Sequence, residues 1–229
     1  MSSDRTFLPA AGHDLFLPLY DPLVTLLGGN RSRQELIEQA NITSGQRTLD
    51  IGCGTGSFAV LLKRQCADVE VIGLDPDPKA LRRAKAKATR AAVSIQFDQG
   101  FADQLPYESR SFDRVFSSLM FHHLDEQTQQ RTLTEVLRVL KPGGSFHLLD
   151  FASNDHSSHP DSHESSSHRS HSLHSHLMHL FHPRNRLQDN SDAGILGLMT
   201  GAGFPNVQKV KDGRMLFDLL RIVYYRATV

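Results

Sequence analysis

The chain has 229 residues, 39% of them hydrophobic, and its 25 basic side chains are balanced by 25 acidic ones. That length supports one domain with a full core, and the charge balance excludes the basic footprint of a protein that lives on nucleic acid. Two cysteines, Cys53 and Cys66, are too few for a disulfide framework or a thiolate zinc site, and no apolar run approaches the roughly 20 residues that span a bilayer. The opening MSSDRTFLPAAGHDLF lacks the basic start and continuous apolar core of a secretory signal. The expectation is a cytoplasmic protein, monomeric or homodimeric, with neither nucleic acid nor an integral membrane as partner.

In chain order, residues 1–45 read as an N-terminal helical cap, apolar but broken by prolines and glycines. Ser32-x-x-Glu35 is a capping-box pattern that opens a helix through Ala40, with Asn41 able to end it. Residues 46–151 then alternate regularly. RTLDIGC is a short strand, 57–65 a helix, and VEVIGLD (69–75) a second strand ending in an acid. Asp77 caps a helix with Pro78 in its first turn and Ala80, Leu81, Ala84 and Ala88 on one face. VSIQFD (93–98) is a third strand and FDRVFSS a fourth. Asp125 caps a helix carrying Leu133, Val136, Leu137 and Leu140 at i, i+3, i+4, i+7, which LKPGG stops, and SFHLLDF is a fifth strand.

Residues 152–189 form a histidine-rich insertion. Residues 190–229 supply a helix, SDAGILGLMTGAG, and two strands near PNVQKV and GRMLFDLLRIVYYRA. Only KDG separates these strands, too little for a parallel crossover, so they should pair antiparallel. The predicted fold is a single α/β domain: a doubly wound, Rossmann-like sheet of seven strands, mostly parallel, ending in an antiparallel hairpin.

The first strand runs into D50-I-G-C-G-T-G-S57, where Gly52, Gly54 and Gly56 let a ligand approach the backbone between a strand and a helix. Nicotinamide and flavin sites use such loops too. Three details favour S-adenosylmethionine. Position 57 is serine where the dinucleotide fingerprint wants glycine or alanine. Asp50 would repel a pyrophosphate but attract a ligand carrying an ammonium and a sulfonium. Asp75, at the end of the second strand, can accept from both hydroxyls of an adenosine ribose.

The segments LDIGCGTGSFAVLL, VIGLDPDPKALRRAKAKA, FADQLPYESRSFDRVFSSLMFHHL and EVLRVLKPGGSFHLLDF resemble, in order and spacing, the motifs of class I S-adenosylmethionine-dependent methyltransferases. The subgroup they are most similar to is the small-molecule enzymes related to ubiquinone and menaquinone biosynthesis. The resemblance implies that Asp50, Gly52, Gly54 and Gly56 surround the methionine part of the cofactor. It implies that Asp75 holds the ribose with Pro76 beside the adenine, that Phe101 and Ala102 lie in the adenine-binding stretch, and that Ser117 ends the strand lining the site. Phe101 stands where the family often has an aspartate, so a side-chain acceptor for the adenine amino group is missing or comes from Asp98 or Asp103. It also implies a methyl transfer by in-line displacement to a small acceptor.

Because a sulfonium already activates its methyl group, the protein must supply alignment, exclusion of water and a correctly protonated acceptor. His122, in SSLMFHHL after the fourth strand, is the candidate base or substrate-orienting residue, and His123 a local structural group. Tyr20, in PLYDP, resembles the aromatic residue of the cap that closes over the cofactor in related enzymes.

Nine of the thirteen histidines lie between His156 and His182. Two H-x-x-H-x-x-H runs could offer imidazoles to a metal, but no carboxylate is placed beside them and i+3 spacing drifts around a helix, so no dedicated metal site is expected. Leu173, Leu177, Leu180 and Phe181 form one helical stripe. Placed after the fifth strand, the segment reads as a lid with an apolar wall, which predicts a small and partly apolar acceptor. The competing readings are a non-enzymatic, histidine-rich metal-binding protein on the same scaffold and an NAD-dependent oxidoreductase.

Overall fold

A computed structural model of the chain describes residues 29–152, 191–215 and 220–229. The histidine-rich segment, its apolar stripe and Tyr20 lie outside these residues. In chain order the elements are α1 (Gly29–Gln39), β1 (Arg47–Ile51), α2 (Ser57–Gln65), β2 (Glu70–Asp75), α3 (Pro78–Arg90), β3 (Gln96–Gln99), β4 (Phe112–Ser118) and a 3-10 turn (Phe121–His123). They continue with α4 (Glu126–Val139), β5 (Leu140–Phe151), α5 (Asp192–Gly201), β6 (Asn206–Met215) and β7 (Leu220–Thr228).

The strands form one seven-stranded sheet in the order β3-β2-β1-β4-β5-β7-β6. The first five pair in parallel, while β7 runs antiparallel to both β5 and β6. Helices must cover a parallel sheet on both faces, and the core is accordingly split in two. One cluster, with Leu36, Phe58, Leu62, Ala84, Phe97, Phe116, Leu149 and Tyr224, lies beneath α1, α2 and α3. The other, with Leu49, Ile51, Phe121, Leu133, Val136, Phe146, Leu148 and Ile195, lies beneath α4 and α5. Strand order reverses between β1 and β4, which opens a crevice at their carboxyl ends where ligands bind in such sheets.

Helix capping follows the sequence closely in the core. Asp77 accepts from Lys79 N at 2.7 Å and Asp125 from Thr128 N at 2.8 Å. Three details differ from expectation. Ser32 lies buried within α1 and does not cap it. Asn41 does end that helix, in the left-handed region at φ 46°. The third strand begins three residues late, because Ala92 turns to φ 51° and Val93 N closes the end of α3 on Ala88 O. KDG is no turn: β6 runs through it with a register shift between Lys209 and Lys211. There Gly213 makes room for Ile222 of β7, which a Cβ would meet at 3.0 Å.

One core residue carries a pH signature. His147, 1% exposed on β5, stacks on Phe116 with ring centroids 5.4 Å apart. Its Nε2 lies 2.8 Å from Ser145 Oγ, and its Nδ1 has no hydrogen-bond partner among the described residues. Burial first, then the neighbouring Arg114 and Arg226 guanidinium groups, lower its pKa to about 3. The folded chain therefore holds His147 neutral where the unfolded chain, with a pKa near ~6.5, binds a proton. This contribution to stability is complete above about pH 6.5 and is lost as pH falls toward 3. Between pH 7 and pH 5 the chain should lose about 2 kcal/mol of urea-measured stability relative to a His147→Leu variant. An unchanging difference between the two proteins across that range would contradict the assignment.

Candidate functional site

The loop Gly52–Gly56 crosses the carboxyl end of the sheet between β1 and α2, and three of its residues take left-handed backbone: Gly52 (φ 67°), Gly54 (φ 52°) and Gly56 (φ 74°). Two of these glycines answer to packing as well as to torsion. A Cβ on Gly56 would lie 2.8 Å from Ala84 Cβ of α3, and one on Gly52 would overlap the Met120 side chain. Lys87 of α3 ties the loop from below, with Nζ donating to Thr55 Oγ1 at 3.1 Å and to Ser57 Oγ at 2.5 Å.

Asp75 organises the adjoining corner. Its Oδ2 accepts from Gly54 N at 2.8 Å and its Oδ1 from Asp77 N at 2.9 Å. One carboxylate thus fixes both the glycine loop and the entry to α3. Each oxygen keeps a further lone pair, so the group can still accept from a ligand's hydroxyls. Burial is the leading influence on it and raises its pKa, against the lowering effect of those two backbone bonds. Pro76 follows, half-buried, and Gly100 N donates to Asp75 O at 3.2 Å, which brings Phe101 and Ala102 to the same corner. Neither acid considered for the adenine is idle. Asp98 accepts from Gln96 Nε2 at 2.8 Å and Tyr107 Oη at 3.0 Å, and Asp103 pairs with Arg131 at 3.1 Å.

Asp50 is 2% exposed, and its Oδ2 has no hydrogen-bond partner among the described residues. Burial pushes its pKa up to about 8, against the lowering effect of Arg33, with Asp75 adding to the rise. The hydroxyls of Ser117 and Ser118, at the end of β4, are likewise buried without a partner among the described residues. Orphaned buried polar groups are rare in native proteins and mark places that a ligand or water completes. An acid, two hydroxyls and a glycine loop that admits close approach fit the polar methionine part of S-adenosylmethionine, and Asp75 fits its ribose.

Beyond β4 the chain turns at Leu119 (φ 57°), whose N bonds Leu149 O at 2.8 Å, into the 3-10 turn. There His122 and His123 stand with ring centroids 4.0 Å apart. His122 Nδ1 lies 2.5 Å from Asp150 Oδ1, and His122 N donates to Asp150 Oδ2 at 2.8 Å. Both side chains are buried, at 4% and 7% exposure. Burial raises the Asp150 carboxyl, but the His122 charge and hydrogen bond, with the backbone N–H groups of Phe151 and His122, leave it below the usual carboxylate range. An ionised Asp150 fixes the proton on Nδ1, which places the imidazole lone pair on Nε2. Gln129, 5% exposed, donates to Phe121 O at 3.2 Å and holds the turn from α4.

The structure therefore brings Asp50, the three glycines, Asp75, Pro76, Phe101, Ala102, Ser117 and His122 to one end of the sheet. Sequence reasoning missed Asp150, Met120 and Arg33. Asp150, in the fifth strand's final FHLLDF, carries a legible signal: an acid ending a strand whose neighbour ends in histidines. Among the described residues no group of three or more His, Cys, Asp or Glu side chains could hold a metal, and no helix is long and apolar enough to cross a membrane. Replacing Gly56 by alanine should cost about 1–3 kcal/mol, from the left-handed backbone and the contact with Ala84. Denaturant titration checks this, and an unchanged midpoint would show that α3 can move away.

Residues 48–144 match the family model described as "Methyltransferase domain". The chain is 41% identical over 137 residues to the demethylmenaquinone methyltransferase of Deinococcus radiodurans, covering 58% of this chain and 56% of that one. It is 36% identical over 112 residues to the 27-O-demethylrifamycin SV methyltransferase of Amycolatopsis mediterranei, covering 48% of this chain and 40% of that one. The chain thus spans about half the length of these curated relatives. The fold is shared with a crystal structure of a SAM-dependent methyltransferase from Aquifex aeolicus, with TM-score 0.62 and 16% identity over 86% of this chain and 89% of that one. Residues 48–144 thus match a methyltransferase domain, the chain is similar over about half its length to curated methyltransferases that include a demethylmenaquinone methyltransferase, and its sheet has the fold of a SAM-dependent methyltransferase.

Proposed function

We propose that the chain transfers a methyl group from S-adenosylmethionine to a small, partly apolar acceptor through a hydroxyl that His122 deprotonates. The observation that carries this reading is the buried His122–Asp150 pair, 2.5 Å apart, on the turn beside the glycine loop. An acceptor that is already nucleophilic at neutral pH needs no such device, whereas a hydroxyl does. The apolar side chains beside the turn, Phe151 with its ring 5.1 Å from that of His122 and Met120 against Gly52, support a partly apolar acceptor. The family match favours neither of the competing readings, an NAD-dependent oxidoreductase or a metal-binding scaffold.

When bound, S-adenosylmethionine supplies a methyl group on a sulfonium, and the pair of electrons in the broken S–C bond returns to sulfur as a neutral thioether. The protein's part is positional and protonic. Asp75 receives the ribose hydroxyls, Pro76 borders the adenine, and Phe101 and Ala102 offer backbone to its edge. Asp50, the N–H groups of the glycine loop and the Ser117 hydroxyl surround the methionine part. His122 Nε2 accepts the acceptor's proton as the new C–O bond forms, and Asp150 stabilises the imidazolium that results. Where the hydroxyl sits on an aromatic ring, the same deprotonation places electron density on ring carbon, so methylation at carbon can begin with the same residues, the ring C–H proton of the resulting dienone then shifting to oxygen to restore the phenol. That shared step accommodates relatives named for demethylmenaquinone and for a 27-O-demethylated rifamycin.

His122→Ala should lower kcat by about 10²–10⁴-fold while leaving S-adenosylhomocysteine affinity nearly intact. The defect should shrink across a series of phenols of decreasing pKa and vanish for one ionised in solution, because the base is then redundant. A defect of constant size across that series would mean that His122 is structural. Asp150→Asn should also reduce turnover, since an amide can stabilise the wrong tautomer and cannot stabilise the imidazolium. Activity equal to the wild type would remove Asp150 from the mechanism.

A further inference from the structure

Helix α3 carries a charge that its own folding does not call for. Six of the chain's 25 basic residues, Lys79, Arg82, Arg83, Lys85, Lys87 and Arg90, lie within Pro78–Arg90, and none of its 25 acidic residues does. With histidine neutral, the remainder of the chain is therefore net acidic, and overall neutrality conceals a local concentration of positive charge. Ala80, Leu81, Ala84 and Ala88 form the buried side of the helix. Lys79, Arg82, Lys85 and Arg90 are exposed, and Arg83 and Lys87 are half-buried.

This arrangement costs the helix stability. Lys79, Arg83 and Lys87 follow one another at i+4, which sets like charges side by side. Lys79 also stands in the first turn, at the positive end of the helix dipole, and that turn contains no acid. Lys87 has a use within the fold, since it ties the glycine loop through Thr55 and Ser57. Arg82, Arg83, Lys85 and Arg90 form no ion pair among the described residues. An anionic partner outside the chain turns their mutual repulsion into attraction.

The placement of the cations selects the kind of partner. Lys79, Arg82, Arg83 and Arg90 advance at i, i+3, i+4 and i+11, one stripe opposite the buried side, about 16 Å long at the usual helical rise. They make a ridge along the outer face of the helix, suited to a broad surface, and no aromatic side chain stands among them to stack on a base. A basic cluster of this size on one face of an amphipathic helix suits the anionic headgroups of a bilayer, with the aliphatic stems lying along it. We propose that α3 docks the chain peripherally on an anionic phospholipid surface. Lys79 follows closely on Asp75 at the carboxyl end of the sheet, so docking brings the candidate site to the edge of the bilayer. A partly apolar acceptor of the kind proposed above collects at such a surface, but the docking itself does not rest on that reading.

Co-sedimentation of the full chain with vesicles tests this. The chain should bind vesicles of phosphatidylcholine containing about one third phosphatidylglycerol, should not bind phosphatidylcholine alone, and should leave the anionic vesicles at about 0.5 M salt. Each cation near such a surface changes affinity about fivefold. Arg82→Gln, Lys85→Gln and Arg90→Gln combined should therefore weaken binding about 100-fold. A thermal unfolding midpoint at or above that of the parent chain shows that the variant folds, since the changes remove repulsion. If it does not fold, Lys85→Gln alone serves, with a loss of about fivefold. Unaltered binding by a folded variant, equal binding to neutral vesicles, or no binding to anionic vesicles would each overturn the proposal. So would preference for a short RNA duplex over anionic vesicles at equal phosphate concentration, which would assign the ridge to nucleic acid.

Discussion

Burying charge is costly, and how each buried charge is satisfied decides what the carboxyl end of this sheet can do. Two arrangements stand side by side there. Asp150 and His122 complete one another, with backbone N–H groups filling the carboxylate's remaining positions. Asp50 and Arg33 do not complete one another, and polar atoms of both remain without partners among the described residues. A completed pair is rigid and tuned, which suits a proton acceptor. A buried polar group left incomplete favours a ligand that supplies the missing partner.

The scaffold makes this juxtaposition possible. The order β3-β2-β1-β4-β5 sets β1 and β4 side by side at the reversal of the sheet, so the loops after them open into one crevice. Asp75 extends that crevice sideways by holding Gly54 and Asp77 from a single carboxylate. The antiparallel β7 and β6 have a different part to play. Through Tyr224 and Lys211 they reach Ser32 and Glu35 and hold α1 over the sheet. Elements nearly 190 residues apart in sequence (|i−j| of 189 between Glu35 and Tyr224) thus set the position of Arg33.

What could be read from the sequence was local. The glycine loop, the acid at the end of β2 and the caps at Asp77 and Asp125 are short-range patterns whose physics is contained within a few residues. The antiparallel pairing of the last two strands was also legible, although KDG is not the turn between them. The boundaries that failed did so through partners invisible to a local pattern. KDG resembles a turn, yet Gly213 is there because Ile222 crosses it, and Ser32 resembles a cap while lying inside a helix packed on the sheet. The site divides the same way. His122 was visible as a polar residue at a strand end, but Asp150 is 28 residues away and becomes its partner only when β5 lies beside β4. Arg33 carried no sequence signal at all, since an arginine on a short helix is ordinarily a solvated one.

The central claim is that Asp50, buried and with its Oδ2 unpartnered among the described residues, faces the ammonium at the cofactor's amino-acid end. Asp50, with its pKa near 8 in the free chain, is mostly protonated at pH 7 and must ionise to face an ammonium. Calorimetric binding of S-adenosylhomocysteine at pH 7, in buffers of different ionisation enthalpy, counts the protons exchanged. The account predicts release of close to one proton per ligand bound, abolished in Asp50→Asn. Tight binding with no net proton release would contradict it.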